Sequence, residues 1–545
     1  MTDLDLDPIH PNDGAIGPPD PRDGHAAGGG EGRIGRLIHN ALSNYAGQFA
    51  TIVVALLLTP ILLQGLGPSM YGVWVLVVSI QGLGGLLDLG IAASVVKFVA
   101  QHEALGEANE RNRVVSTTFY LHLGIGFVTF VVLGLFAWVG LPILNLLPAE
   151  LAEARSALLV AAAGLMCLLP LSVPGNLLIG LRRYQSSNVV NIVQSVGTAV
   201  VIVIALEAGA GPAGLILIST IGSILGYLVK WAYAARLLPD LRVSFGLASW
   251  PTLRRVGGYS GWLSVINAGE RLFYSADAVL IAAFLPVSAV ASYNIGFKPA
   301  SAVSYLSGPL VSVFVPTASA MNAREEGAAL RRLLVDGTRA AAALTLVGSI
   351  WLWTFGSELI ELWVGPGHEE SLPVMSIFVG VFLVSSFQNP ASSILRGTGD
   401  VRTLSLTVLA EYAANLALSA FLIPRMGIAG AAVGTLIPAL VNDIFVIPWL
   451  ACRVLAVEYR SFLVRTIPGC AAAAILTLAV LIPLSNALSS TSLISVAIGG
   501  LTTALLFGCA YLLIGLGNGE RRIVATALWA SARRLTTGSQ RGPDG

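Results

Sequence analysis

The sequence predicts an all-α integral membrane protein of fourteen transmembrane helices, built as two pseudo-symmetric six-helix bundles plus two C-terminal helices. Three observations carry this. The chain of 545 residues is 55% hydrophobic and only 11% charged, where a soluble domain carries roughly a quarter charged residues. Its mean hydropathy is +0.78. Its apolar residues fall in long runs, each near the roughly 20 residues that a helix needs to cross the hydrocarbon core. Its arginines gather at alternate ends of those runs.

The expected spans are 38–64, 71–98, 114–139, 156–180, 188–208, 212–236, 258–284, 287–317, 338–363, 372–395, 402–424, 428–454, 464–486 and 491–516. Helices are required there because the bilayer offers backbone groups no water to bond. Several connections, such as Gly209–Gly211, Pro286 and Arg425–Gly427, have room only for a turn.

Orientation follows from the basic residues. With the N-terminus inside, the inner loops hold Arg111 and Arg113, Arg182 and Arg183, Arg254 and Arg255, Arg331 and Arg332, Arg396 and Arg402, and Arg453 and Arg460. The outer loops hold only Arg155 and Arg425. Basic residues favour the cytoplasmic side, so both termini are expected there. The alternation also requires an even number of spans.

The expected organisation is a disordered cytoplasmic tail over 1–35, bundles over 36–237 and 256–455, helices 13 and 14 over 464–516, and a second tail over 517–545. The first tail is rich in Asp, Pro and Gly, with too little apolar content to fold. It shows no cleavable signal peptide. A repeat relates the bundles. Gly211-Pro-Ala-Gly214 matches Gly427-Ile-Ala-Gly430 at an outer turn, and Gly180-Leu-Arg-Arg-Tyr184 precedes the first as Leu395-Arg-Gly-Thr-Gly399 precedes the second. A six-helix repeat keeps the same topology in both halves, so the pseudo-axis runs along the membrane normal, with substrate between the halves.

Motifs for other functions fail on context. Gly30, Gly32 and Gly35 spell GxGxxG, but no strand precedes them, as a dinucleotide site requires. Cys167, Cys452, Cys470 and Cys509 lie in or at the ends of spans with no metal-ligand spacing, and read as packing residues. His122 is scattered from the other histidines and reads as a satisfied interior residue. The net charge of +1 says nothing about partners, and no nucleic-acid partner is expected. No cofactor or metal site and no enzyme signature is expected.

The informative residues are polar ones within the spans. A charge at a helix centre costs roughly 2.5–3.5 kcal/mol on insertion scales, so it faces a cavity or a partner. At 100° per residue, Glu270, Tyr274 and Asp277 share a stripe of the seventh span, with Asn267 and Arg271 on its shoulder. Asn294, Lys298 and Tyr305 share one on the eighth. Asp88 lies in the second span, Glu411 in the eleventh with Thr407 and Asn415, and Asp443 in the twelfth beside Asn442. The first span carries Asn40, Asn44, Gln48 and Thr51. Arg271 and Lys298 suit an anion such as a diphosphate. Glu270, Asp277, Glu411 and Asp443 suit a coupling cation or proton. Mutual neutralisation of Arg271 and Lys298 with Glu270 and Asp277 is the competing reading. The stretch 321–337, with Arg324, Arg331 and Arg332, is expected to lie on the inner membrane surface.

Against this background the chain resembles the multidrug/oligosaccharidyl-lipid/polysaccharide (MOP) exporter superfamily, and within it the polysaccharide-transporter (Wzx-like) flippases. The resemblance rests on Leu66-Gly-Pro-Ser-Met-Tyr-Gly72, Asp88-Leu-Gly90, Asp277 with the run Val279–Leu285, Tyr293 and Lys298, and Leu395-Arg-Gly-Thr-Gly-Asp400. It covers about residues 35–515. It implies a flippase moving oligosaccharide on an undecaprenyl-diphosphate carrier across the bacterial inner membrane by ion-coupled alternating access. Membrane lipids and polysaccharide polymerase machinery are the other partners it implies. By this resemblance Arg271, Lys298 and Asn294 hold the anionic part, and Asn44, Gln48 and Asn415 line the sugar path. Asp88, Glu270, Asp277, Glu411 and Asp443 then serve ion coupling or the conformational switch. A drug/cation antiporter and a lipid II flippase of the same superfamily are the rival readings. A membrane-embedded polymerase or ligase lacks a large outer loop here.

Overall fold

A computed structural model of the protein describes residues 29–84, 91–487 and 492–515, with side chains from Thr51 onward except those of 93, 258–268, 270–274 and 486–487. Among the described residues all regular structure is helical. The first half comprises α1 (Gly29–Gly84), α2 (Ile91–Ala104), α3 (Ala108–Leu135), α4 (Pro148–Leu171), α5 (Val173–Gly180), α6 (Tyr184–Glu207) and α7 (Pro212–Leu237). The second comprises α8 (Trp250–Phe284), α9 (Ser288–Ser312), α10 (Phe314–Ala323), α11 (Gly327–Val364), α12 (Ser371–Thr398), α13 (Val401–Met426), α14 (Ile428–Ala439) and α15 (Ile447–Val454). Helices α16 (Tyr459–Ala487) and α17 (Leu493–Ala510) complete the chain.

Twelve helices among the described residues are long and apolar enough to cross a membrane. Two features separate that number from fourteen. The first expected span and the start of the second form the single element α1, and the end of the second lies in α2. The α1 backbone breaks at Gly67 (φ 74, ψ 166). Only glycine reaches that conformation without a Cβ clash, and Pro68 then removes a backbone donor. The expected seventh span lies in α8, whose described apolar part is Ser275–Phe284. Asp88 and the first 28 residues of the expected N-terminal tail lie outside the described residues, as does the second tail.

Proline and glycine punctuate the rest. Pro170 ends α4 one turn before α5, so one expected span becomes two helices. A π-segment, Leu440–Val446, separates α14 from α15. Gly399 caps α12 in the left-handed region at φ 96. The stretch 321–337 turns at 324–326 and then continues into the 38-residue α11. Arg324, Arg331 and Arg332 are exposed, while Leu330 and Leu334, one turn apart, are both buried, and Arg331 Nε donates to the Leu455 carbonyl at 2.8 Å. The leucine face belongs to the protein interior.

The buried apolar side chains show how the halves meet. One cluster joins both, uniting Leu62 and Tyr71 of α1 and Leu158 of α4 with Ile281 of α8, Val290 of α9 and Phe378 of α12. It begins at the arginine-poor turns. There a Cβ on Gly72 would lie 2.1 Å from the Val287 carbonyl oxygen, and Asn145 N–H donates to Ala282 O at 2.8 Å. At the arginine-rich end the clusters are separate. Val99, Val115, Leu177 and Ala234 form one in the first half. Leu334, Ile394, Leu404 and Phe462 form another in the second. Helix α8 bridges the two halves, since its first turns dock on the first-half cluster through Val256, whose carbonyl accepts from Ser94 Oγ at 3.0 Å.

Candidate functional site

Where α1 meets α9, Lys298 sits ten residues into its helix, about 15 Å from the arginine-poor end at 1.5 Å per residue. Its ammonium donates to Thr59 Oγ1 at 2.6 Å and more weakly to the Tyr71 hydroxyl at 3.4 Å. Both oxygens are oriented to accept. Thr59 Oγ1 spends its proton on the Ala55 carbonyl at 2.8 Å, and Tyr71 donates to Asn294 Oδ1 at 2.9 Å. Each hydroxyl has one proton, so lone pairs are what remain for the lysine. The rings of Tyr71 and Trp74, stacked at 5.9 Å, stand 6.0 and 5.8 Å from Nζ, the outer limit of cation–π attraction. Among the described residues no carboxylate lies within ion-pair distance of Lys298. Among those residues its charge is met only by neutral groups.

The acids occupy a second region, inside the second half. Asp277 is 3% exposed. Its Oδ2 accepts from the Tyr293 hydroxyl and from Thr435 Oγ1 at 3.3 Å, while Oδ1 has no partner. Asn415 Nδ2 donates to Thr435 Oγ1 at 2.6 Å. Farther along, Asn442 Nδ2 donates to Glu411 Oε2 at 2.7 Å, and Ser385 Oγ donates to Asp443 Oδ2 at 2.7 Å. Asp443 is 1% exposed, with Oδ1 again unpartnered.

The structure therefore brings together Lys298 and Asn294, and separately Asp277 with Asn415. Asn415 is buried beside Thr435 and away from the lysine. Lys298 and Asp277 have different partners and do not neutralise each other. The side chains of Asn44, Gln48, Glu270 and Arg271 lie outside the described residues. Sequence reasoning missed Thr59 and Trp74, and also Lys230, a buried lysine of α7 that donates to Asn191 Oδ1 at 2.7 Å. The chain's three lysines are Lys97, Lys230 and Lys298. Lys230, like Lys298, lies well inside an expected span, a signal that could have marked it as well.

Comparison with known proteins joins these features to a family. Residues 37–322 match the family of polysaccharide biosynthesis proteins. The chain belongs to that family. It is a multi-pass membrane protein, and similar to a candidate O-antigen transporter of Shigella flexneri, 22% identical over 432 residues, which cover 77% of this chain and 99% of that protein. Among solved structures it is similar to the lipid II flippase MurJ in an inward closed conformation, with TM-score 0.64 and 11% identity over 87% of this chain and 97% of that one. An inward-facing multidrug resistance MATE family transporter of the MOP superfamily gives TM-score 0.60 and 13% identity, over 75% and 96%. The fold is shared with both.

Proposed function

We propose that this protein flips lipid-linked oligosaccharide repeat units across the bacterial inner membrane for surface polysaccharide synthesis. It works as a transporter and not as an enzyme. The observation that carries the reading is Lys298, a cation deep in the membrane where the two halves meet, met among the described residues only by neutral groups. A diphosphate linked to sugar supplies the missing anion, and Tyr71, Trp74 and Asn294 offer ring faces and polar edges beside it. The carrier implied is undecaprenyl diphosphate, its tail remaining among membrane lipids. The names of the Shigella relative and of MurJ support the same substrate class.

In this proposal the arginine-rich side is cytoplasmic, with both termini there, and the chain crosses fourteen times as two six-helix bundles (36–237 and 256–455) with two added helices. The shared core at the arginine-poor end then closes the outer side, and the separate clusters leave the inner side open. Arg271, Lys298 and Asn294 hold the diphosphate or acidic sugar; Asn44, Gln48 and Asn415 serve the sugar path. Asp88, Glu270, Asp277, Glu411 and Asp443 serve ion coupling or the switch between states. Polysaccharide polymerase machinery receives the product.

The test is a host lacking the protein. Accumulation of undecaprenyl-linked oligosaccharide with loss of surface polymer is expected, and the sugar composition names the substrate. Unchanged lipid-linked sugars with new sensitivity to cationic drugs would overturn the reading in favour of an antiporter. Accumulated lipid II would instead assign the chain to peptidoglycan precursors.

A further inference from the structure

Glu411 and Asp443 are built differently from the other charged groups. Asp443 lies in the π-segment Leu440–Val446, between Pro438 and Pro448. A proline leaves the carbonyl four residues before it without its helical donor; for Pro448 that is Ile444. The Tyr459 hydroxyl of α16 donates to that oxygen at 2.8 Å. The irregular turn is thereby held in place by a helix outside the two repeated bundles. It turns two consecutive polar side chains inward, Asn442 and Asp443, 5% and 1% exposed. π-segments inside helices recur at functional sites.

Two acceptors here lack donors. Asp443 Oδ1 is buried with no partner, and so is Gln388 Oε1, one turn along α12 from Ser385. The donors that do reach the acids are neutral, the Asn442 amide and the Ser385 hydroxyl. The groups of neighbouring elements are engaged elsewhere. Lys298 of α9 is held by Thr59 and Tyr71, Asp277 of α8 by Tyr293 and Thr435, and Tyr459 of α16 by Ile444. On α15, Arg453 lies over the Trp449 ring at 5.7 Å, and the Cys452 thiol is buried. On α13, Tyr412 follows Glu411 and packs over Gly269 of α8. The side chains of Glu270 and Arg271 lie outside the described residues. Among the described residues no cation lies within ion-pair distance of either carboxylate. Asn442, next to Asp443 in the π-segment, bonds Glu411 at 2.7 Å and so holds Glu411 against the turn that carries Asp443.

We propose that Glu411 and Asp443 form a carboxylate pair sharing one proton, which loads and unloads as the π-segment between α14 and α15 rearranges during transport. Asp443 is 1% exposed and Glu411 partly buried. Two carboxylates brought together away from bulk water do not both stay ionised, and such a pair holds a proton and titrates as a unit. Loading forms one O–H bond on a carboxylate oxygen, and release to the other side of the membrane breaks it. A proton on Asp443 Oδ1 turns one of these orphan acceptors into a donor. This deepens the transport reading and rests on it, by naming the coupling ion as a proton and its site as this pair.

The test uses the full chain in phosphatidylcholine nanodiscs. Infrared spectra across pH should show the carbonyl stretch of a protonated carboxylic acid. The double variant Glu411→Gln with Asp443→Asn should lose one acid's worth of this band, while Asp277→Asn retains it. Melting and gel filtration establish that each variant is folded. A band absent from the wild type, or undiminished in the double variant, overturns the proposal. Loss of the band on adding sodium also overturns it and makes the pair a cation site. In proteoliposomes, gradient-driven movement of lipid-linked oligosaccharide should fall at least ten-fold in the double variant. A chain that shows the band but moves no such lipid breaks the transport reading and leaves the proton pair standing.

Discussion

Charges at the arginine-rich rim and charges inside the membrane follow opposite rules in this protein. At the rim, Arg111 bonds Glu103 at 2.6 Å and Asp240 at 2.8 Å, and Arg113 bonds Glu110 at 2.7 Å. Arg324 and Arg339 have carboxylates within reach as well. Inside, Lys298 rests on hydroxyls and rings, and Asp277, Glu411 and Asp443 on hydroxyls and amides. Water reaches Arg113 and Arg324, yet they too have carboxylates within reach, whereas Arg111 is only 3% exposed and its two carboxylates offset that burial. The membrane makes a lone charge cost about 2.5–3.5 kcal/mol on insertion scales, yet the charges there stay apart. A structure selected only for stability would do the reverse. Among the described residues these intramembrane charges have no opposite charge within ion-pair distance, as the proposed transport of a charged substrate and an ion requires.

The largest expected effect breaks the comparison at its cationic end. Lys298→Ala should reduce export by about 10- to 100-fold, the worth of a hydrogen bond to a charged group at about 1.5–3 kcal/mol, and lipid-linked oligosaccharide should accumulate in the host. Its melting temperature should not fall, because the variant removes a burdened charge. Wild-type export with a lowered melting point would make Lys298 a structural residue after all.

Next in size is a change to the core that the halves share. Gly72→Val places carbon where the Val287 carbonyl stands, 2.1 Å from the ideal Cβ. Overpacking of this kind costs typically 1–3 kcal/mol. The arginine-poor end should open, read as at least five-fold faster labelling of Val290→Cys by a membrane-impermeant thiol reagent. The background should lack Cys167 and Cys509, both exposed. Unaltered labelling would show that the shared cluster is not the closed gate.

Much of this was legible in the chain. Apolar runs and arginine alternation located the helices, because the bilayer enforces both length and sidedness. Helical spacing put Asn294 and Lys298 on one stripe, and the structure joins them through Tyr71. The period could not reveal that Asn415 turns to Thr435 and Asp277, since partner choice across helices is set by packing and not by spacing along one. Nor could it show that Leu330 and Leu334 pack against protein: a stretch with arginines on one side looks the same whether its apolar side meets lipid or protein. The π-segment was hidden for a related reason. Pro438 and Pro448 announce a break, but only Tyr459, arriving from α16, settles where the freed carbonyl points.

Two smaller changes sharpen the contrast at each end. Tyr71→Phe keeps the ring beside Lys298 and removes the hydroxyl that links it to Asn294. One neutral hydrogen bond is worth about 1 kcal/mol, so the half-saturating substrate concentration should rise about five-fold with maximal rate little changed. Arg113→Ala removes a rim pair whose side chains are 52% and 35% exposed. Such pairs contribute roughly 0–1 kcal/mol and less in salt, so melting and export should both stay near wild type. Tyr71→Phe removes one hydroxyl and Arg113→Ala a whole charged arm, yet the smaller change is expected to have the larger effect on export because of its surroundings. If Arg113→Ala cost export as much as Tyr71→Phe, the rim would belong to the substrate path, and the division between paired and unpaired charges would no longer mark function.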